Sequence, residues 1–326
     1  MLLLARALRE RGHGQRIVSP GDSALTHKAR QEGFDVAPLG GVLGLRRDLQ
    51  GVQIVHTHSG RAQTLSFLAT AKLPVVRIAT RHVAFEPRHP AIHRLKYTAT
   101  CDGIIAVSEA VRRVLLDSGV PGEKIEVIPN GVELPPAIAT PEQRAAARRK
   151  FGFAREHFVV GHLGAFTHEK GQDVAIAAAA LLRERLPQLR MILAGENPPG
   201  MPPDQRVQLP GFVDDRDRFF AALDLFIMPS RSEGWGLAAA EAMAHGIPVV
   251  ASDTGGLREI VERNETGWLV TPGDPGALAD AIESGASLLP HLGEMGLRAR
   301  ERARCFSSAR TAELTEAFYQ RLFVPS

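Results

Sequence analysis

Apolar positions along this chain follow two alternating rhythms. Residues 1, 4, 5 and 8 are apolar, share one helical face, and give way at Gly12, which predicts an opening amphipathic helix. Beyond it, short apolar runs of strand length alternate with longer helical patterns. The runs predict strands at 15–19, 35–39, 52–56, 75–80, 103–107 and 126–128, with helices between them, for example at 62–71 and 109–118. Residues 134–141, Leu-Pro-Pro-Ala-Ile-Ala-Thr-Pro, break the series, because proline blocks both helix interior and sheet. A second series then predicts strands at 158–164, 190–194, 225–228, 248–251 and 268–270. The last stretch reads as helical throughout, ending with 309–322.

Alternation of short apolar strands with helices predicts α/β architecture with parallel, doubly wound sheets. The linker divides it into two Rossmann-like domains, 1–136 and 137–306, expected to face a cleft. Residues 307–326 are expected to form a helix crossing back to the N-terminal domain. In open sheets of this kind ligands sit beyond the carboxyl ends of the strands, so residues just after each strand carry the chemistry.

Composition narrows the class. The chain has 326 residues, 44% hydrophobic and 23% charged, which excludes a disordered or fibrous protein. Aromatics are only 6%, so the core is expected to be aliphatic. No run approaches the ~18 apolar residues of a membrane span. The leucines at the start lack a preceding basic region and a small-residue cleavage site, so a secretory signal is not expected, and a cytoplasmic location is. Two cysteines, Cys101 and Cys305, fit a reduced compartment and exclude a cysteine-built zinc site. Charge is uneven: residues 1–136 carry 18 Lys/Arg against 12 Asp/Glu, the remainder 21 against 24. A basic N-terminal half suits an anionic partner, such as a phosphorylated acceptor or a membrane surface; scattered solvated arginine is the plainer reading. The basic segment Arg88-His-Pro-Ala-Ile-His-Arg-Leu-Lys-Tyr97 reads as a short helix suited to peripheral membrane contact. No basic run is interleaved with aromatics, so nucleic acid is not an expected partner.

The segment richest in chemistry runs from Asp224 to Gly246. A buried strand enters a glycine turn, Glu233-Gly-Trp-Gly236, from which an alanine-rich helix opens. Backbone N–H groups at Gly236, Leu237 and Ala238 and the helix dipole suit a phosphate or diphosphate. Gly234-x-Gly236-x-x-Ala239 with Asp253 also matches a dinucleotide fingerprint, but that pattern belongs in a first βαβ unit and here lies deep in the second half. Glu233 and Glu241 flank the turn eight positions apart. A carboxylate at Glu233, just before a diphosphate-binding turn, suits a sugar hydroxyl or a developing cation, and Glu241 can reach a ribose above the helix dipole.

Glu233-x7-Glu241, followed by Ala-Met-Ala-x-Gly-x-Pro-Val-Val-Ala-Ser-Asp253 and Gly255-Gly-x-x-Glu259, resembles the retaining glycosyltransferases of family 4, which have the two-domain GT-B fold. Ile128-Pro-Asn-Gly-Val132, Val107-Ser-Glu, His56-x-His58, Lys170-Gly171 and Thr266-Gly-Trp-Leu-Val270 agree with it along most of the chain. The resemblance implies a sugar transfer from a nucleotide-diphosphate donor, without metal or other cofactor; the basic N-terminal half, with no export signal expected, points to a glycan or glycolipid acceptor in cell-envelope synthesis. It implies that Glu233 holds donor-sugar hydroxyls and that Glu241 binds the ribose. Lys170 and the amides of Gly236, Leu237 and Ala238 would neutralise the departing diphosphate. Val213 would meet the base, and His82, in Thr80-Arg-His82, the donor sugar and acceptor.

Two departures from the family pattern stand out. Ala165, in Gly164-Ala-Phe166, occupies the place of an arginine beside the diphosphate, a contact worth on the order of 1–3 kcal/mol; Arg231 and His168 are the candidates to replace it. Family members also open on a strand and glycine-rich loop, so an N-terminally shortened chain lacking its first strand is expected. Asp215-Arg-Asp217 looks like a metal-binding Asp-x-Asp, but its place after a turn predicts helix capping. A non-catalytic binder of nucleotide sugars is the competing class, and an NAD-dependent oxidoreductase the third.

Overall fold

The structure, a computed structural model, describes residues 1–86, 89–196 and 204–323. The chain divides into two compact units, Met1–Gly131 with Ser308–Ser326, and Val132–Ser307.

In the first unit, β1 (Arg16–Ser19) and β2 (Asp35–Pro38) pair in parallel as a two-stranded sheet. A separate parallel sheet has the order β3 (Ile54–Thr57), β4 (Val76–Arg81), β5 (Gly103–Ala106), β6 (Ile125–Val127). The sequence pattern does not foresee the division of these strands into two sheets. Helices α1 (Leu2–Glu10), α2 (Ala24–Gln31), α3 (Val42–Asp48), α4 (Gly60–Ala69), α5 (Pro90–Thr100) and α6 (Glu109–Asp117) alternate with the strands. The opening helix buries Ala5, Ala7 and Leu8, while Met1 stays 43% exposed. Its buried face is wider than the 1, 4, 5, 8 stripe because it packs on two sides. Ala5 meets Ile17, Ala29 and Phe34, and Leu8 joins a cluster with Ile78, Ile105 and the C-terminal helix. Ser59 and Ser108 cap α4 and α6, each accepting a bond from the amide three residues on, as short hydroxyl side chains do at helix starts.

The second unit holds one six-stranded parallel sheet. Its order is β12 (Gly267–Val270), β11 (Val249–Ser252), β10 (Leu225–Met228), β7 (Phe158–Leu163), β8 (Leu189–Ala194), β9 (Val207–Gly211). Strand β10 is apolar throughout, and β10 and β11 are buried at every position, as parallel strands covered on both faces must be. Strand β9 is absent from the sequence reading because Pro210 interrupts its pattern. It lies at the sheet edge, where a missing N–H is tolerated. The helices are α7 (Pro141–Lys150), α8 (Gln172–Leu181), α9 (Arg216–Ala221), α10 (Leu237–Ala244), α11 (Leu257–Ile260), α12 (Pro275–Ser287) and α13 (Leu292–Ala303); α14 (Ser308–Phe323) returns the chain to the first unit. Thr140 opens α7 with a reciprocal capping box to Gln143, ending the proline-rich linker.

Strand order places the chemistry. Strands β7 and β10 are neighbours, yet the chain leaves β7 toward β8 and β9 on one side and leaves β10 toward β11 and β12 on the other. Their carboxyl ends therefore form a topological switch point, where loops diverge and open a crevice.

Candidate functional site

Both loops at that switch point carry charged residues singled out by sequence. The loop after β7 leads to Lys170, and the loop after β10 to Glu233. The Lys170 ammonium donates to Glu233 Oε2 at 2.6 Å, with the carboxylate largely buried and the ammonium partly so. The two loops are also fastened by backbone: Arg231 N–H donates to Glu169 O at 2.7 Å.

The glycine turn then starts α10. Gly236 has φ +105°, a left-handed conformation that L side chains rarely adopt, and a Cβ there would lie 2.5 Å from Leu257 Cδ2. Ala239 and Ala240 N–H already bond to Gly236 O, so the amides of Leu237 and Ala238 precede the first intrahelical bonds and sit at the positive end of the helix dipole. Leu237 itself is 38% exposed. One turn further on, Glu241 accepts two bonds from Arg216 Nη1, both at 2.6 Å. Burial pushes the Glu241 carboxyl above its ordinary range, and the Arg216 guanidinium opposes that shift. Val213 lies in the turn between β9 and α9 and is half-buried.

Asp215 caps α9 by accepting from Arg218 N–H at 2.9 Å, the role its position predicts. Arg231 is committed elsewhere: it donates to both Asp173 oxygens at 2.6 and 2.8 Å and to His168 O at 2.9 Å. Among the described residues no group of three or more His, Cys, Asp or Glu side chains is placed to hold a metal ion. Asp253, the acidic member of the dinucleotide pattern, is bonded by Arg258 and Arg263.

Comparison with known proteins gives the family. A family model described as Glycosyltransferase Family 4 matches residues 1–134, and one described as Glycosyl transferases group 1 matches 157–286. A D-inositol 3-phosphate glycosyltransferase of Actinosynnema mirum is 35% identical over 305 residues, covering 86% of this chain and 70% of the relative. This chain belongs to glycosyltransferase family 4. The D-inositol 3-phosphate glycosyltransferase of Nocardia farcinica is 34% identical over 307 residues, 87% of this chain but 65% of the relative's length, so this chain matches about two thirds of that protein. The crystal structure of Anabaena HepE in complex with UDP and glucose has a TM-score of 0.88 at 23% identity, covering 98% of this chain and 94% of that one. A glycosyltransferase from Rickettsia africae gives 0.87 at 22% identity, covering 100% and 94%. These likenesses show the GT-B fold.

In this family 4 chain three histidines of the first unit, His56, His58 and His82, form a stacked group. His56 and His58 stack with centroids 4.4 Å apart, and His58 and His82 with centroids 5.6 Å apart. His58 Nδ1 and His82 Nε2 are 3.3 Å apart, and Asn130, in the Ile-Pro-Asn-Gly motif, approaches His82 Nδ1 at 3.5 Å. His56 bonds to the Tyr319 hydroxyl and to Thr80 Oγ1, both at 2.6 Å. Burial lowers all three imidazoles, His82 to about 4 and His56 to about 3, so the group is uncharged at neutral pH.

Sequence reasoning missed several of these partners. Nothing local connects Tyr319 to His56 or Arg216 to Glu241. A signal did exist for His162, a polar residue inside the apolar run of β7, and it is fully buried. Of the basic helix, α5 begins at Pro90, and Arg88 lies outside the described residues.

Proposed function

We propose that this chain is a retaining, metal-independent glycosyltransferase that moves a sugar from a nucleoside-diphosphate donor to a hydroxyl of a glycan or glycolipid acceptor of the cell envelope. The observation that carries the reading is the meeting of Lys170 and Glu233 at the β7/β10 switch point, on the segment that enters α10. A nucleoside diphosphate with its phosphates at the Leu237 and Ala238 amides would put its ribose toward Glu241. The leaving diphosphate would take Lys170, releasing Glu233 to hold sugar hydroxyls. HepE, crystallised with UDP and glucose, supports a nucleotide-sugar donor, and relatives named as D-inositol 3-phosphate glycosyltransferases support a hydroxyl-rich acceptor.

On this reading the anomeric C–O bond to the diphosphate breaks as the acceptor oxygen bonds to the same face, and the acceptor proton passes to the departing phosphate oxygen. Fixed positive charge from Lys170 and the helix end supplies the stabilisation. His82 is the residue we assign to the sugar and acceptor. No helix among the described residues is long and apolar enough to cross a membrane. Helix α5 exposes Ile92 and Leu95, each 67%, beside Arg94, with Phe85 62% exposed nearby in sequence, a pattern suited to anionic lipid.

The test is calorimetric titration of the chain and its Glu241→Ala variant with UDP, GDP, ADP and NAD. One nucleoside diphosphate should bind with micromolar affinity and lose it in the variant. Binding of NAD alone overturns the reading, and nucleotide binding without turnover of any nucleotide sugar favours a non-catalytic relative.

A further inference from the structure

The buried polar residues beneath the switch point form one connected strut. His162, on β7, is 0% exposed, and Gln172, at the start of α8, is 4% exposed. His162 Nδ1 lies 3.1 Å from Ile227 O on β10. A carbonyl only accepts, so Nδ1 carries the proton and Nε2 is bare. That bare nitrogen takes a bond from the Gln172 amide at 3.1 Å. The second N–H of the same amide goes to Ala165 O at 2.9 Å, with Gly164 O at 3.3 Å. Every donor in the chain Ile227 – His162 – Gln172 – Ala165 thus faces an acceptor, and neither the imidazole tautomer nor the amide orientation can reverse without breaking two bonds. Burial lowers the imidazole to about 4, so His162 remains neutral across the working range.

The strut ends on the two segments that carry the candidate site. Ile227 is the penultimate residue of β10, six positions before Glu233. Ala165 is five positions before Lys170. We propose that His162 and Gln172 are positioning residues, which fix the separation of these two arms and so the place where Lys170 meets Glu233. Elsewhere in the family this turn is expected to carry an arginine. Here Ala165 offers no side-chain contact, and its carbonyl is held from below by Gln172. The inference rests on the proposed function only for its catalytic consequence; the mechanical part concerns the ligand-free chain.

Gln172→Met keeps length and volume but removes both donors. Amide hydrogen exchange of residues 164–170 in the ligand-free variant should rise at least tenfold, with the helices of the same unit unchanged. Exchange that stays at the wild-type rate overturns the inference, whether or not any nucleotide sugar is turned over. The second readout is a cycle with Lys170→Ala. Gln172→Met alone should reduce turnover at least thirtyfold, mostly in kcat, and add less than threefold in the Lys170→Ala background. Multiplicative losses would mean that Gln172 acts independently of Lys170 and would also overturn it. His162→Gln, which can still accept from Gln172 but cannot reach Ile227, should fall between wild type and His162→Leu in both readouts. A chain that shows the exchange effect but no turnover would refute the proposed function and leave the strut standing.

Discussion

Lys170 and Glu233, 63 residues apart in sequence, meet at 2.6 Å, so each neutralises the other in the ligand-free chain. On the proposed function a donor would exchange this pair for contacts of its own, its diphosphate taking Lys170 and its sugar Glu233. Glu233→Gln removes the competitor. We expect it to bind the nucleoside diphosphate several-fold more tightly, while transfer falls roughly 10²–10³-fold, the scale for losing one hydrogen-bonding group from a transition state. Titration and a transfer assay on the same preparation check both signs.

Glu241 links binding and stability in opposite directions. Its carboxyl is raised in the folded chain by burial, so the folded state holds its proton to higher pH than the unfolded state does. Its contribution is fully present below the unfolded value and lost as pH rises through the folded one. At neutral pH Glu241→Gln should therefore melt at or above wild type, with the difference growing from pH 4 to 7. Nucleoside-diphosphate affinity should drop about 10- to 100-fold on losing its charged hydrogen bonds. Paired melting and titration curves test this.

His162 predicts an acid limb. Its imidazole is lowered to about 4, so below pH 6.5 the unfolded chain takes up a proton that the folded chain refuses. Stability should fall by about 1.4 kcal/mol per pH unit for this one group, from pH 6.5 down toward 4. Urea unfolding of wild type and His162→Leu across that window should show the variant with the shallower slope.

Asp224, at the entrance to β10, accepts from Arg144 at 2.9 Å, Arg148 at 2.5 Å and Val159 N–H at 2.8 Å. Its side chain is 10% exposed. Asp224→Ala leaves two guanidinium groups and an amide facing each other, and should cost about 3 kcal/mol in chemical denaturation.

Gly255 supports Glu233 from behind. It has φ +51°, and a Cβ there would lie 1.8 Å from Glu233 O. Gly255→Ala must push that carbonyl away, so it should lower transfer at least tenfold, with secondary structure by circular dichroism unchanged.

The alternation of strand and helix was legible because it depends on local spacing. Strand β10 is apolar at every position and reads as a buried strand from its four residues alone. Strand β9 was lost because Pro210 looks like a breaker until its edge position is known. The candidate residues Glu233 and Glu241 are legible from their spacing around one turn and one helix, and Lys170 from the resemblance to the family. Their partners were not, since Arg216 lies 25 residues from Glu241 and Tyr319 lies 263 from His56.

The sequence by itself therefore determined most of the elements, the resemblance to the family and the identity of the candidate charged residues, because periodicity, glycine turns and motif spacing are properties of neighbouring positions. Tertiary structure alone decided which charges meet. Strand order put β7 beside β10 and so brought Lys170 to Glu233, while Asp173 claimed Arg231 and Arg216 claimed Glu241. A hydrogen bond needs donor and acceptor within about 3 Å, and only the packed sheet fixes such distances between residues far apart in the chain.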